Sequence, residues 1–200
     1  MEHTIPLLVQ LDTKFAAIAD LYGMPGFVGR KPGFESLCLM ILEQQVSLNS
    51  AKASFDKLKN LIEEFTPQNS IEITDQEFRQ CGVSRQKTAY IRNLAEAILN
   101  GNIFLESFIE KDHDTVRKEL VALKGIGNWT ADIYLMFCLQ APDILPLGDI
   151  GIISAIKDVW GFTTLEEIKG HSEKWKPYRT TAAFFLWHYY LKKRNRIFPH

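Results

Sequence analysis

Leu120-Val-Ala-Leu-Lys-Gly-Ile-Gly-Asn-Trp-Thr-Ala-Asp132 sets two glycines, Gly125 and Gly127, one residue apart between two apolar runs of helical spacing. A helix ending near Leu123 and another starting near Asn128 must turn within that gap. Glycine allows the positive φ of a tight turn and lets another backbone come close. Such a hairpin leaves N–H groups unpaired at the start of its second helix, where the helix dipole favours an anion and a phosphate fits. Lys124 stands beside the turn and adds charge. The same residues also describe a plain corner with glycine as a helix cap, and the stretch by itself leaves both readings open.

The segment after the hairpin adds a second feature. Beyond a helix over Trp129–Leu139 comes Gln140-Ala-Pro-Asp-Ile-Leu-Pro-Leu-Gly-Asp149, and Asp149 immediately precedes an apolar helix, Ile150–Trp160. An 11-residue helix rises about 16 Å, and ten extended residues span up to about 33 Å, so the chain can return Asp149 to the neighbourhood of Trp129 and the hairpin. At the N-terminus of its own helix the carboxylate meets a favourable dipole. An aspartate in that position is also an ordinary N-cap.

Outward from this segment almost every apolar run keeps helical rather than alternating period. Phe34–Asn60 reads as two helices broken near Ser47–Ser50, and further helices are expected at about Leu7–Tyr22, Asp75–Gln80, Arg85–Asn100, Leu105–Ile109, Asp114–Ala122, Leu165–Ile168 and Pro177–Leu191. Asn100-Gly101 and Gly161 end helices; Ser84, Asp114 and Asp149 stand where N-caps belong. The fold class is all-α.

The 200 residues, 46% hydrophobic and 24% charged, have the composition of a globular protein able to bury its own core. The net charge of −1 excludes a uniformly basic surface, yet from His171 onward seven basic residues face one acidic residue, Glu173. That C-terminal stretch is a candidate polyanion contact, or else a solvated helix face and charged tail. Cys38, Cys81 and Cys138 lie far apart and read as reduced thiols, without the spacing that zinc or an iron–sulfur cluster requires. With no signal segment and no run of about 18 apolar residues, the expected location is the cytoplasm, with the nucleoid in a bacterium or the nucleus in a eukaryote, and no membrane.

The hairpin Leu123-Lys-Gly-Ile-Gly-x-Trp-Thr-Ala followed by Leu-Pro-x-x-Asp149 resembles the helix-hairpin-helix DNA glycosylases, 3-methyladenine DNA glycosylase II (AlkA type) in particular. Three other pieces match in the same order: Ile41-Leu-Glu-Gln-Gln-Val-Ser47; Gly82-Val-Ser-Arg-Gln-Lys87 with Tyr90-Ile-Arg-Asn-Leu-Ala95; and Trp175-Lys-Pro-Tyr-Arg179 with Leu186-Trp187. Together they cover about residues 34–190. The resemblance implies a helical subdomain over 36–141 that carries the hairpin, a second assembled from 1–35 plus 142–200, and an active cleft between them. It implies the compact form, without the N-terminal β domain of many relatives. Ile133 stands where well-known relatives carry a pocket aromatic, with Tyr134 one residue later.

The chemistry implied is excision of alkylated purines such as 3-methyladenine and 7-methylguanine from double-stranded DNA by a monomeric enzyme. A flipped base leaves a gap, which Gln45 would fill with Gln44 in support; in residue terms alone these glutamines equally cap a helix end. A cationic base suits an aromatic pocket, assigned by resemblance to Trp129 and Trp187, with Tyr134, Ile133 and Gln44 also lining it. DNA contacts fall on Gln45, Lys124, Gly125, Ile126, Gly127 and Thr130. Asp149 is the catalytic carboxylate, stabilising positive charge on the sugar and orienting water. No cofactor is required and no iron–sulfur cluster is expected; a monovalent cation, Na or K, would sit on the carbonyls of Val121, Leu123 and Ile126. A strand-cleaving glycosylase/lyase, a glycosylase for other lesions and a non-catalytic DNA-binding protein are the alternative readings.

Overall fold

A computed structural model describes residues 2–196. Among them there are helices and turns and no strand. The α-helices are α1 (Ile5–Leu11), α2 (Lys14–Tyr22), α3 (Phe34–Glu43), α4 (Leu48–Lys59), α5 (Pro67–Glu72), α6 (Asp75–Gln80), α7 (Arg85–Leu99), α8 (His113–Val121), α9 (Asn128–Phe137), α10 (Ile150–Trp160), α11 (Leu165–Ser172) and α12 (Arg179–Lys192).

Several of these differ from the periodicity. The single helix expected over 7–22 is two, because Asp12 adopts extended backbone between α1 and α2 and takes the Lys14 N–H on its carboxylate. Helix α5 carries too few apolar residues to show a period, but Thr66 caps it by accepting the Asn69 N–H, and Pro67 fits its first turn. Asp112, not Asp114, caps α8, since Asp114 already lies in the first turn. Leu105–Glu110 is a 3₁₀ turn. Helix α11 runs on to Ser172, held at its start by a capping box of Thr164 and Glu167.

The chain divides into two units, Arg30–Leu139 and a composite of the residues up to Gly29 with those from Gln140 onward. In the contiguous unit α9 is buried from Thr130 through Phe137, as befits a helix apolar on all sides, and lies against α3 and α8. Helix α3 also meets α4 and α7, and the core side chains Leu37, Met40, Ile41, Leu135 and Met136 are fully buried. Each such side chain removed from water contributes about 1.5–3 kcal/mol before entropy is counted. Arg30 belongs to this unit: its N–H donates to the Phe137 carbonyl, and its guanidinium makes two bonds, 2.9 and 2.7 Å, to the buried Glu43 carboxylate.

In the composite unit α12 is buried from Thr180 to Trp187 and packs on α10, α2 and α1. Its two chain segments meet at Asp12. The carboxylate accepts the indole N–H of Trp160 and of Trp175, each at 3.0 Å, and lies 2.9 Å from His171 Nε2. Phe15 packs among Trp160, Trp175 and Phe185 at centroid distances of 5.2–5.6 Å. Among the described residues no helix is long and apolar enough to cross a membrane.

Candidate functional site

The hairpin is the Leu123–Gly127 turn between α8 and α9, closed by the Ile126 N–H donating to the Leu123 carbonyl at 3.1 Å. Gly125 has φ +97° and lies directly over Tyr90; a Cβ there would come within 2.2 Å of the Tyr90 ring. No other residue type fits this turn. Gly127 is different: its φ is −96°, extended backbone open to any residue, and a Cβ would meet nothing within 4 Å. The expectation that both glycines serve the turn is therefore corrected. Gly125 serves it, whereas Gly127 keeps the approach to the start of α9 open.

Helices α4 to α8 are each capped by a Ser, Thr or Asp side chain, whereas α9 starts at Gly127 with no capping side chain. Its first turn therefore begins without a side-chain cap, and space is open at Gly127, an arrangement suited to an anion. Lys124 is exposed beside it and Ile126 is buried, anchoring the turn. Behind the hairpin, Arg117 of α8 pairs with the Asp132 carboxylate of α9. Burial pushes the Asp132 carboxyl up, and the Arg117 guanidinium pulls against that shift. Sequence reasoning missed this tie: Asp132 closes the quoted stretch, but its partner Arg117 lies outside it, 15 residues earlier.

Gln44 follows α3 and reaches the hairpin: its side-chain amide donates to the Gly125 carbonyl at 2.9 Å and to the Thr130 hydroxyl at 3.0 Å. Gln44 is thus a brace for the turn. The Thr130 side chain, 1% exposed and engaged by Gln44, is a packing group, so a DNA contact at Thr130 falls to its first-turn amide. Gln45 is exposed and takes φ +57°, a left-handed conformation rare outside glycine. Trp129 is half-buried in the first turn of α9. Tyr134 is a correction: its ring is 0% exposed, its hydroxyl accepts the Gly33 N–H at 3.1 Å, and it stands edge-on to Phe108, so it is a core side chain. Burial pushes the Tyr134 phenol well above its ordinary range. Ile133 is likewise buried.

Asp149 and Trp187 come together in the composite unit. Asp149 is the N-cap of α10, and its Oδ1 accepts both the Ile152 N–H and the Trp187 Nε1–H at 3.0 Å. Trp187 is only 8% exposed and edge-on to Phe184, so the structure gives it a grip on the carboxylate in addition to any stacking face. Gly148, Asp149 and Ile150 line a groove of about 740 Å³ together with Lys157, Lys193 and Arg194. Of the C-terminal basic residues, Lys193 and Arg194 face this groove; Lys174, Lys176 and Arg179 are held in ion pairs with Asp12, Glu173 and Asp143. Among the described residues no group of three or more His, Cys, Asp or Glu could hold a metal ion, and the three cysteines are buried and free.

Comparison with known proteins places residues 38–177 on the family model described as HhH-GPD superfamily base excision DNA repair protein. DNA-3-methyladenine glycosylase 1 of Schizosaccharomyces pombe is 29% identical over 165 residues, 79% of this chain and 72% of that protein. DNA-3-methyladenine glycosylase of Bacillus subtilis is 29% identical over 207 residues, covering 94% of this chain and 64% of its own length. Among solved structures, a Schizosaccharomyces pombe 3-methyladenine DNA glycosylase in complex with abasic DNA superposes with a TM-score of 0.81 at 28% identity, over 90% of this chain and 92% of that one.

Proposed function

The chain belongs to the HhH-GPD superfamily of base excision DNA repair proteins, and from that premise we propose that it hydrolyses the N-glycosidic bond of alkylated purines, such as 3-methyladenine and 7-methylguanine, in double-stranded DNA. The observation that carries this reading is the Asp149 carboxylate, fixed at the first turn of α10 by the Ile152 amide and the Trp187 indole. Similarity to relatives named 3-methyladenine glycosylases supports the substrate class.

Alkylation at a ring nitrogen leaves the purine cationic, so the base departs with its bonding electrons as a neutral molecule and little acid catalysis is required. Positive charge then develops on the deoxyribose, as in other glycoside hydrolyses. A carboxylate already oriented by two donors stabilises that charge without reorganising. It also accepts a proton from the water whose oxygen bonds to the anomeric carbon, and the product is an abasic site. The open start of α9 takes a phosphate, Gln45 fills the gap left by the extruded nucleotide, and Trp129 offers the base an aromatic face. The carbonyls of Val121, Leu123 and Ile126 would hold a monovalent cation that helps bind the phosphate: Val121 is exposed, and the Leu123 carbonyl keeps a lone pair beyond the one Ile126 uses. Such an enzyme works where the DNA is, in the cytoplasm of a bacterium or the nucleus of a eukaryote.

We read the enzyme as monofunctional. A strand-cleaving relative needs an amine to attack the sugar carbon, and the residue directly after the Gly-Ile-Gly-Asn run is Trp129. The test is incubation with methylated duplex DNA, chromatography of released bases and borohydride trapping. Free 3-methyladenine or 7-methylguanine with no covalent adduct is the expected result. No released base would overturn the activity, and a trapped adduct would overturn the monofunctional reading.

A further inference from the structure

Lys87 lies in the Gly82-Val-Ser-Arg-Gln-Lys87 segment, to which the proposed chemistry assigns no role. Gly82 turns the chain at φ +84°, Ser84 caps α7, and Lys87 is the third residue of that helix. Its side chain leaves α7 for the end of α3. There Nζ donates to the Leu42 carbonyl and to the Gln44 carbonyl, both at 2.8 Å. These are groups that the end of a helix leaves without amide partners, and a cation there also complements the dipole.

The second of those bonds has a consequence for the next residue. The Gln44 carbonyl belongs to the same rigid peptide plane as the Gln45 N–H. Fixing that oxygen fixes the axis about which Gln45 takes its φ of +57°, a conformation that persists in a non-glycine residue only when its surroundings hold it. The Gln44 side chain is tied separately, to Gly125 and Thr130. Gln45 and Val46 beyond it are exposed. The turn is thus gripped from α7 and from the hairpin while its tip stays free.

We propose that Lys87 is a positioning residue for Gln45: by holding the Gln44 carbonyl it sets the peptide from which Gln45 projects, and keeps that side chain poised for the gap left by an extruded nucleotide. The inference rests on the gap-filling role proposed for Gln45 above. Lys87 touches neither the base nor the sugar.

The experiment compares single-turnover excision of 7-methylguanine from two duplexes, one with the lesion paired to cytosine and one with it opposite an abasic site, where extrusion needs less unstacking. Gln45→Ala and Lys87→Met each slow excision from the paired duplex by about tenfold, and by less than about twofold opposite the abasic site, because a paired base must be unstacked and unpaired before it can be extruded. The double variant is no slower than the worse single one, since both changes remove the same action. Lys87→Arg, which can still donate to two carbonyls, recovers most of the paired-duplex rate. Equal slowing by Lys87→Met on both substrates, or none on either, overturns the inference while leaving Gln45 in place if Gln45→Ala keeps its selective effect. A Gln45→Ala enzyme as fast as wild type on both overturns the gap-filling role and this inference with it. Should Lys87→Met fail to fold, Lys87→Gln supplies the same comparison.

Discussion

Asp149 does two things with one oxygen. Oδ1 caps α10 and receives the Trp187 indole, so helix formation and the orientation of the carboxylate are the same event. Asparagine in its place keeps an Oδ1 acceptor for both donors and removes the charge. Asp149→Asn is therefore expected to unfold within about 0.5 kcal/mol of wild type, since the cap survives, while base excision falls about 100-fold or more because the charge does the stabilising. Thermal unfolding beside a base-release assay checks it, and a fully active Asn enzyme removes Asp149 from the chemistry. Trp187→Phe separates stacking from hydrogen bonding: a ring remains against Phe184 but the donor is lost. Excision drops by about tenfold, as befits a hydrogen bond to a charged group, with a smaller change in affinity for abasic DNA. Unaltered excision would leave Trp187 a packing residue.

The hairpin shows how two glycines of one motif answer to different demands. Gly125 is required by the fold, through its positive φ and the Tyr90 ring beneath it. Gly125→Ala should lower unfolding stability by about 2 kcal/mol or more, the scale of a strained backbone combined with overpacking. Gly127 is required by no contact within the protein, so Gly127→Ala should stay within about 0.5 kcal/mol of wild-type stability. Its methyl nonetheless stands where a phosphate would approach the uncapped start of α9, and duplex affinity should fall for damaged and intact DNA alike. Urea unfolding and fluorescence anisotropy on the same two variants separate the effects; wild-type affinity in Gly127→Ala would show that α9 does not receive the phosphate.

Across the whole chain, the composite unit depends on residues far apart in sequence agreeing on one carboxylate. Burial by itself would raise the Asp12 carboxyl, but hydrogen bonds from Trp175, His171, the Lys14 amide and Trp160 outweigh it and bring it to about 2, from an ordinary 3.8. A carboxylate depressed in the folded state stabilises fully above its unfolded value, and that stability is lost as pH falls through its folded value. The window here runs from about pH 4 to pH 2. Burial also lowers His171, against the pull of Asp12, so protonating it below its ordinary 6.5 works in the same direction. Asp12→Asn should cost about 2 kcal/mol at neutral pH and flatten the acid limb of the stability profile. Thermal unfolding from pH 7 to pH 2 measures both, and an unchanged acid limb would place its origin elsewhere.

The sequence by itself determined what depends on neighbours along the chain. Helical period, Ser84 and Asp149 as caps, Gly161 as a left-handed stop and the Gly125 turn are local, since they involve backbone groups within about four residues, the reach of one helical turn. Helix α5 and the break at Asp12 escaped for reasons equally physical: the first is too short to show a period, and the second is set by tryptophans about 150 residues away that claim the carboxylate. The motifs brought Asp149, Trp187, Gln44 and the hairpin into view through family resemblance, without saying what holds each of them. Only the tertiary structure decided that Gln44 braces Gly125 and Thr130, that Lys87 grips the Gln44 carbonyl, that Trp187 donates to Asp149, and that Tyr134 is core. Those partners lie 38 to 86 residues apart, and a hydrogen bond between them exists only once packed helices have fixed both ends to within a few tenths of an ångström.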